Sequence, residues 1–206
     1  MNLQSYYEDL KVLARRVRAE HGLSSPRVLA SDLMRIYAQH GIIVDEWPYR
    51  FRNLRGAFIN DHLGTTVMLA KGLPRDPMVF TMAHELKHFF RDRDLGISYC
   101  DQSNLNKSLE VGAEIFAAEL LFPDRDFVAH MEMMGIRRDQ CLPKSLIHLK
   151  QKTGTTLSYA GLAIKAERLG YAPAHSLTTI KTWRRFEGLY GAPSQRAVGR
   201  GRVQAK

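Results

Sequence analysis

Residues 80–90 of the chain read Phe80-Thr81-Met82-Ala83-His84-Glu85-Leu86-Lys87-His88-Phe89-Phe90. We predict that this stretch is helical, because Asp76 and Pro77 precede it as an N-cap and a first-turn proline. Apolar residues then recur at spacings of three and four, which is typical of a largely buried helix. Each helical residue advances by about 100°, so His84 and His88 differ by about 40° and share one face.

The motif H-E-x-x-H at His84, Glu85 and His88 is typical of a zinc site. Neutral imidazoles bind Zn²⁺ at about 2.0–2.1 Å, and a glutamate beside the first ligand can serve as general base toward the attacking water. Two histidines on one helix face can also be ordinary surface or core residues. The metal interpretation therefore depends on a third ligand elsewhere in the chain.

A second segment, residues 109–123, is rich in helix formers and ends at Pro123. Its first acidic residue, Glu110, lies 22 positions after His88, which leaves room for a loop and a return into a neighbouring helix. We predict Glu110 as the third ligand, since two histidines and one glutamate form a known zinc set. Glu114, one turn later, is predicted to accept the outer N–H of a ligating histidine. The same N and O donors accept Mn²⁺ as well as Zn²⁺.

The rest of the chain predicts an α+β fold that is mainly helical. Two amphipathic helices come first, the second opening at Ser25 and Pro26. Three short strands follow within residues 42–44, 56–60 and 65–70, and form a small sheet next to the H-E-x-x-H helix. The run 65–70 either offers a sheet edge to a peptide substrate or packs beneath that helix.

Composition indicates a globular protein of the cytoplasm. The chain has 206 residues, 45% of them hydrophobic, so it can bury a sizeable core. Its two cysteines, Cys100 and Cys141, are far apart and indicate neither a disulfide framework nor a cysteine zinc site. Neither an export signal nor a run of eighteen apolar residues is present, so we expect no membrane association.

The positive charge is concentrated in the C-terminal third. After residue 134 there are fourteen Lys and Arg against three acidic residues, although the whole chain has a net charge of +9. Such a run indicates either a solvated surface and tail or a contact with nucleic acid. Residues 144–169 predict two helices around Gly154, an arrangement that could form a DNA-reading helix-turn-helix. We place the domain boundary at 170, with a basic, partly disordered tail over 171–206.

Together the two motifs resemble the ImmA/IrrE family of bacterial and phage metallopeptidases, which are gluzincin-like. That family's pattern is F-T-x-A-H-E-x-G-H followed by E-x-x-A-N-x-F-A-x-x-L-L-x-P, and the resemblance extends over residues 25–170. Two positions depart from it. Lys87 replaces the usual Gly, which brings a charged side chain near the metal unless it points outward, and Glu114 replaces the usual Asn or Asp.

The resemblance implies a zinc endopeptidase that cleaves an intracellular regulator, such as a repressor of the XRE helix-turn-helix type. Metal ligands would be His84, His88 and Glu110, with Glu85 as general base and then proton donor. The residue that stabilises the oxyanion is not identified, and Tyr99, His130 and His62 are candidates that also suit structural positions. Two alternatives stay open: a metal-binding module that holds a repressor without cutting it, and a basic DNA-binding protein.

Overall fold

The computed structural model describes residues 2–47, 55–95, 98–99 and 107–191. It confirms the predicted α+β class, with helices on a small mixed sheet. The helices are α1 (Leu3–Glu20), α2 (Ala30–Gln39), α3 (Arg75–Lys87), α4 (Lys107–Leu121), α5 (Asp124–Met133), α6 (Pro143–Thr153), α7 (Tyr159–Arg168) and α8 (Trp183–Tyr190). The strands are β1 (Ile43–Trp47), β2 (Gly56–Asp61), β3 (Gly64–Ala70) and β4 (Ser98–Tyr99).

The sheet has the strand order β1-β3-β2-β4. β3 pairs in parallel with β1 and antiparallel with β2, while the two-residue β4 extends the three predicted strands on the far side of β2. Of the two roles considered for residues 65–70, the free edge for a peptide is wrong, because the backbone of β3 is hydrogen-bonded to a neighbour on each side. The sheet edges in the described residues are β1 and β4.

Two helices begin at other residues than predicted. α2 begins at Ala30, because the carboxylate of Asp32 accepts a hydrogen bond from the Leu29 backbone N–H at 2.9 Å and caps the helix there. α3 begins at Arg75, so Asp76 lies inside its first turn rather than at the N-cap. The carboxylate of Asp76 instead pairs with Lys150 Nζ of α6 at 2.9 Å.

The core formed by the described residues consists of two hydrophobic clusters. The first joins α1, α2, α3, α4 and the sheet, and the second joins α5, α6 and α7 with the chain as far as Leu177. Phe80 of α3 packs against both clusters. α3 and α4 therefore lie in the middle of the packed structure, where burial holds the side chains that project from them in fixed positions.

The chain beyond Arg168 continues to pack on the helices before it. The ring of Trp183 in α8 stacks on Tyr159 with ring centroids 5.4 Å apart, and the Tyr159 hydroxyl donates to Glu187 Oε1 at 3.2 Å. The predicted boundary at residue 170 stays a prediction, and residues 192–206 of the predicted tail lie outside the described residues. Among the described residues, every helix is too short or too polar to cross a membrane.

Candidate metal centre

Two neighbouring helices supply the predicted ligands. His84 lies in the last turn of α3, and His88 follows at once as the first residue of a π-helical segment, His88–Asp92. Glu110 lies in the first turn of α4, which packs along α3. The two packed helices thus bring residues 26 positions apart onto a common point.

The three side chains converge closely. His84 Nε2 lies 3.2 Å from Glu110 Oε2, and His88 Nε2 lies 3.6 Å from Glu110 Oε1. One donor atom of each residue lies within 4.8 Å of the others. Two tetrahedral ligands that each lie 2.0–2.1 Å from a zinc ion are about 3.4 Å apart, and the two histidine–glutamate distances are close to this value.

A buried nitrogen of His88 supports the same interpretation. The side chain is 0% exposed, and its Nε2 has no hydrogen-bond partner among the described residues. A buried polar atom without a partner costs free energy, which a bound ion would recover. Around His84, burial by itself lowers the imidazole pKa, but the hydrogen bond to Glu110 and the charges of Glu85, Glu110 and Glu114 raise it above its ordinary value. The surroundings of both histidines therefore favour a cation.

The carboxylate that orients His88 is Asp92, which sequence reasoning missed. His88 Nδ1 donates to Asp92 Oδ2 at 2.8 Å. Since a carboxylate only accepts, Nδ1 carries the proton and the lone pair lies on Nε2, where a metal needs it. Burial by itself raises the pKa of Asp92, but hydrogen bonds from His88 and Lys87 lower it below its ordinary value, so the carboxylate stays ionised.

The prediction that Glu114 accepts the outer N–H of a ligating histidine is therefore corrected. Glu114 is exposed on α4 and makes no hydrogen bond to either histidine among the described residues. It acts on His84 through its charge alone. The signal that would have found Asp92 is an acidic residue four positions after the second histidine, one turn further along the same face.

Lys87 points inward rather than out to solvent. Its side chain is 0% exposed, its Nζ pairs with Asp92, and the same ammonium donates to the backbone carbonyl of Leu109 at 3.0 Å. The charge expected near the metal is thus present, and the carboxylate of Asp92 compensates it.

Glu85 is fully buried beside the first ligand. Gly56, at the start of β2, leaves the space that its carboxylate occupies, because a Cβ at this position would lie 2.7 Å from Glu85 Oε1 and 2.5 Å from Thr81 Cγ2. Tyr37 of α2 donates to the Met82 carbonyl at 2.6 Å and fixes the turn of α3 before His84. The general base predicted from the motif therefore lies on α3 and packs against the start of β2.

Two of the three candidates for the oxyanion have other surroundings. His130 Nδ1 lies 2.7 Å from the Asp126 carbonyl, and its ring packs on Phe122 in the second cluster. His62 is exposed in the turn between β2 and β3. The side chain of Tyr99 lies outside the described residues, so this candidate stays a prediction.

Comparison with known proteins places this site within a described domain. The sequence model of the IrrE N-terminal-like domain, Peptidase M78, matches residues 39–164, which include all three ligands and Glu85. A search among curated proteins finds no significant match. A transcriptional regulator of Mycobacterium tuberculosis is similar in structure, with a TM-score of 0.55 and 16% sequence identity over 81% of this chain. The match spans 52% of that protein's length, and at this identity the likeness concerns the fold.

Proposed function

The chain belongs to the Peptidase M78 family, and from that premise we propose that it is a metal-dependent endopeptidase. The observation that carries the proposal is the convergence of one donor atom from each of His84, His88 and Glu110 within 4.8 Å. The residues between these ligands support it further, because Glu85 occupies the position of a general base in this motif.

The chain's own residues would divide the work as follows. His84, His88 and Glu110 would hold a divalent ion, Zn²⁺ or Mn²⁺, which supplies Lewis-acid chemistry that polarises a peptide carbonyl. Glu85 would take the proton from the attacking water and deliver it to the leaving amine. Asp92 would keep the proton of His88 on Nδ1. Glu85 and His88 are fully buried, so bulk water is excluded from their side of the site.

We propose a protein that regulates transcription as the substrate, cleaved in the cytoplasm. This part rests on the resemblance to peptidases that cleave helix-turn-helix repressors. A DNA contact by the basic C-terminal third receives less support, because Lys150, Lys165 and Arg168 are engaged in ion pairs with Asp76 and Asp124.

The test uses Glu85→Gln, which keeps the size of the side chain and removes its basicity. The wild-type chain and the variant, each loaded with zinc, are incubated with a library of peptides derived from a bacterial proteome, and new N-termini are identified by mass spectrometry. We expect the wild-type chain to produce a narrow set of new N-termini, and the variant to lose at least about 100-fold of that activity, which is the lower end of what general-base catalysis contributes.

The zinc content of both proteins is measured by elemental analysis after gel filtration. Equal zinc with lost cleavage supports hydrolysis through Glu85. Equal cleavage by both proteins, or zinc binding without any cleavage by the wild-type chain, would favour a metal-binding module that does not act as a peptidase.

A further inference from the structure

A buried lysine lies next to the metal site and takes no part in the chemistry described above. Lys87 is 0% exposed, and among charged groups such burial is costly unless the charge is compensated. Its ammonium pairs with Asp92 Oδ2, the same oxygen that accepts the hydrogen bond from His88 Nδ1. One carboxylate oxygen therefore joins the lysine to a ligand.

The same ammonium also reaches the second helix of the site. Lys87 Nζ donates to the Leu109 carbonyl at 3.0 Å, and Leu109 immediately precedes Glu110 in the first turn of α4. Lys87 thus contacts the carboxylate that orients His88 and the backbone next to Glu110. These are the two ligands whose donors are 3.6 Å apart.

The N-terminal helix α1 covers Lys87 on its outer side through the ring of Tyr6. Lys87 Nζ lies 6.0 Å from the centroid of the Tyr6 ring, which is itself 5% exposed on α1. Gly112 of α4 leaves room for that ring, since a Cβ there would lie 3.1 Å from Tyr6 Cε1. Tyr6 precedes the stretch that matches the family, so a segment outside residues 39–164 covers the lysine.

We propose that Lys87 is a positioning residue of the metal site, which holds Asp92 against His88 and the first turn of α4 in the arrangement that brings His88 and Glu110 together. The proposal rests on the proposed function only in so far as that function requires the metal site. It concerns metal affinity, which is measured without any substrate.

The experiment measures the zinc dissociation constant by competition with a chromophoric chelator, on the full chain and on Lys87→Met, which keeps a straight side chain of similar length. We expect the variant to bind zinc about 10- to 100-fold more weakly, as is typical when an outer partner of a metal ligand is lost. Thermal unfolding of the metal-free proteins is recorded in parallel.

Lys165→Met is the matched control. Lys165 is likewise buried, at 2% exposed, and pairs with Glu119 and Asp124 away from the ligands. We expect this variant to lower the thermal midpoint and to leave zinc affinity unchanged. A merely structural role of Lys87 would give the same result for Lys87→Met, and that result would overturn the proposal.

A double variant keeps the test informative if Lys87→Met alone does not fold. In Lys87→Met with Asp92→Asn, both buried charges are removed together and the Asn carbonyl can still accept from His88. We expect this protein to fold and to bind zinc at least 10-fold more weakly than the wild-type chain. Wild-type affinity in the double variant overturns the role of Lys87, while failure of the wild-type chain to bind zinc overturns the metal site and this role with it.

Discussion

At the scale of single residues, the sequence predicts the three side chains that converge, but their supporting residues were missed. His84, His88 and Glu110 follow from helical spacing and from the few ligand sets that a catalytic zinc uses. Asp92 and Gly56 contribute through contacts made only in the folded chain: Asp92 through the N–H of His88, and Gly56 by the absence of a side chain where Glu85 lies. The residues around Gly56 in the sequence do not indicate that a distant side chain occupies the space beside it.

Gly56→Ala tests how closely Glu85 of α3 packs against Gly56 of β2. The added Cβ would lie 2.5 Å from Thr81 Cγ2 and 2.7 Å from Glu85 Oε1, so we expect these two side chains to shift and the three predicted ligands to stay together. We expect peptidase activity to fall by about 100-fold, as displacements of about 1 Å do at catalytic groups, with zinc content unchanged.

The matched control for that variant is Gly188→Ala in α8. A Cβ at this position has open space around it, so peptidase activity should stay at the wild-type level. Full activity in Gly56→Ala would contradict the close packing of Glu85 against the strand.

At the scale of elements, the order and type of the helices and strands were largely predictable, and local irregularities were not. Gly41, Gly135 and Gly154 lie at positive φ where their helices end, which is the common position of glycine after a helix. The π-helical turn His88–Asp92 has no such signal, because one residue added to a helical turn leaves the apolar spacing nearly unchanged. That turn places Asp92 beside both His88 and Lys87. The sequence prediction assigns the role of Asp92 to Glu114.

The first turn of α5 is attached to two other helices through Asp124. Its carboxylate pairs with Lys165 and Arg168 of α7, and with Lys11 of α1 at 3.3 Å. Burial by itself raises the pKa of Asp124, but these three cations lower it to about 2. Since the pKa in the unfolded chain is about 3.9, the folded state binds this proton less readily. The stabilisation is therefore complete above about pH 4 and is lost as the pH falls through about 2.

Asp124→Asn tests this attachment through its pH dependence. We expect the variant to be less stable than the wild-type chain by about 2 kcal/mol at pH 6, somewhat below the cost of breaking a fully buried pair. The difference should shrink steadily between pH 4 and pH 2, as measured by urea unfolding at a series of pH values. A difference that stays constant over that range would exclude Asp124 as the titrating group.

At the scale of the whole molecule, part of the positive charge of the C-terminal third is neutralised by acidic residues that lie earlier in the chain. Lys150, Lys165 and Arg168, from the basic C-terminal third, pair with Asp76 and Asp124, which precede it in the chain. The Lys150–Asp76 pair joins α6 of the second hydrophobic cluster to α3 of the site, and the pairs with Asp124 join α5 to α7 within that cluster. Composition alone located the charge excess but could not indicate its partners, because pairing across such distances depends on the fold.

The central claim is that three side chains from two helices bind one ion. It is tested most directly by anomalous diffraction at the zinc edge, from crystals of the zinc-loaded chain. The account predicts one strong peak within about 2.0–2.2 Å of His84 Nε2, His88 Nε2 and a Glu110 carboxylate oxygen. A peak bound by other residues, or the absence of any peak at these three side chains, would contradict it.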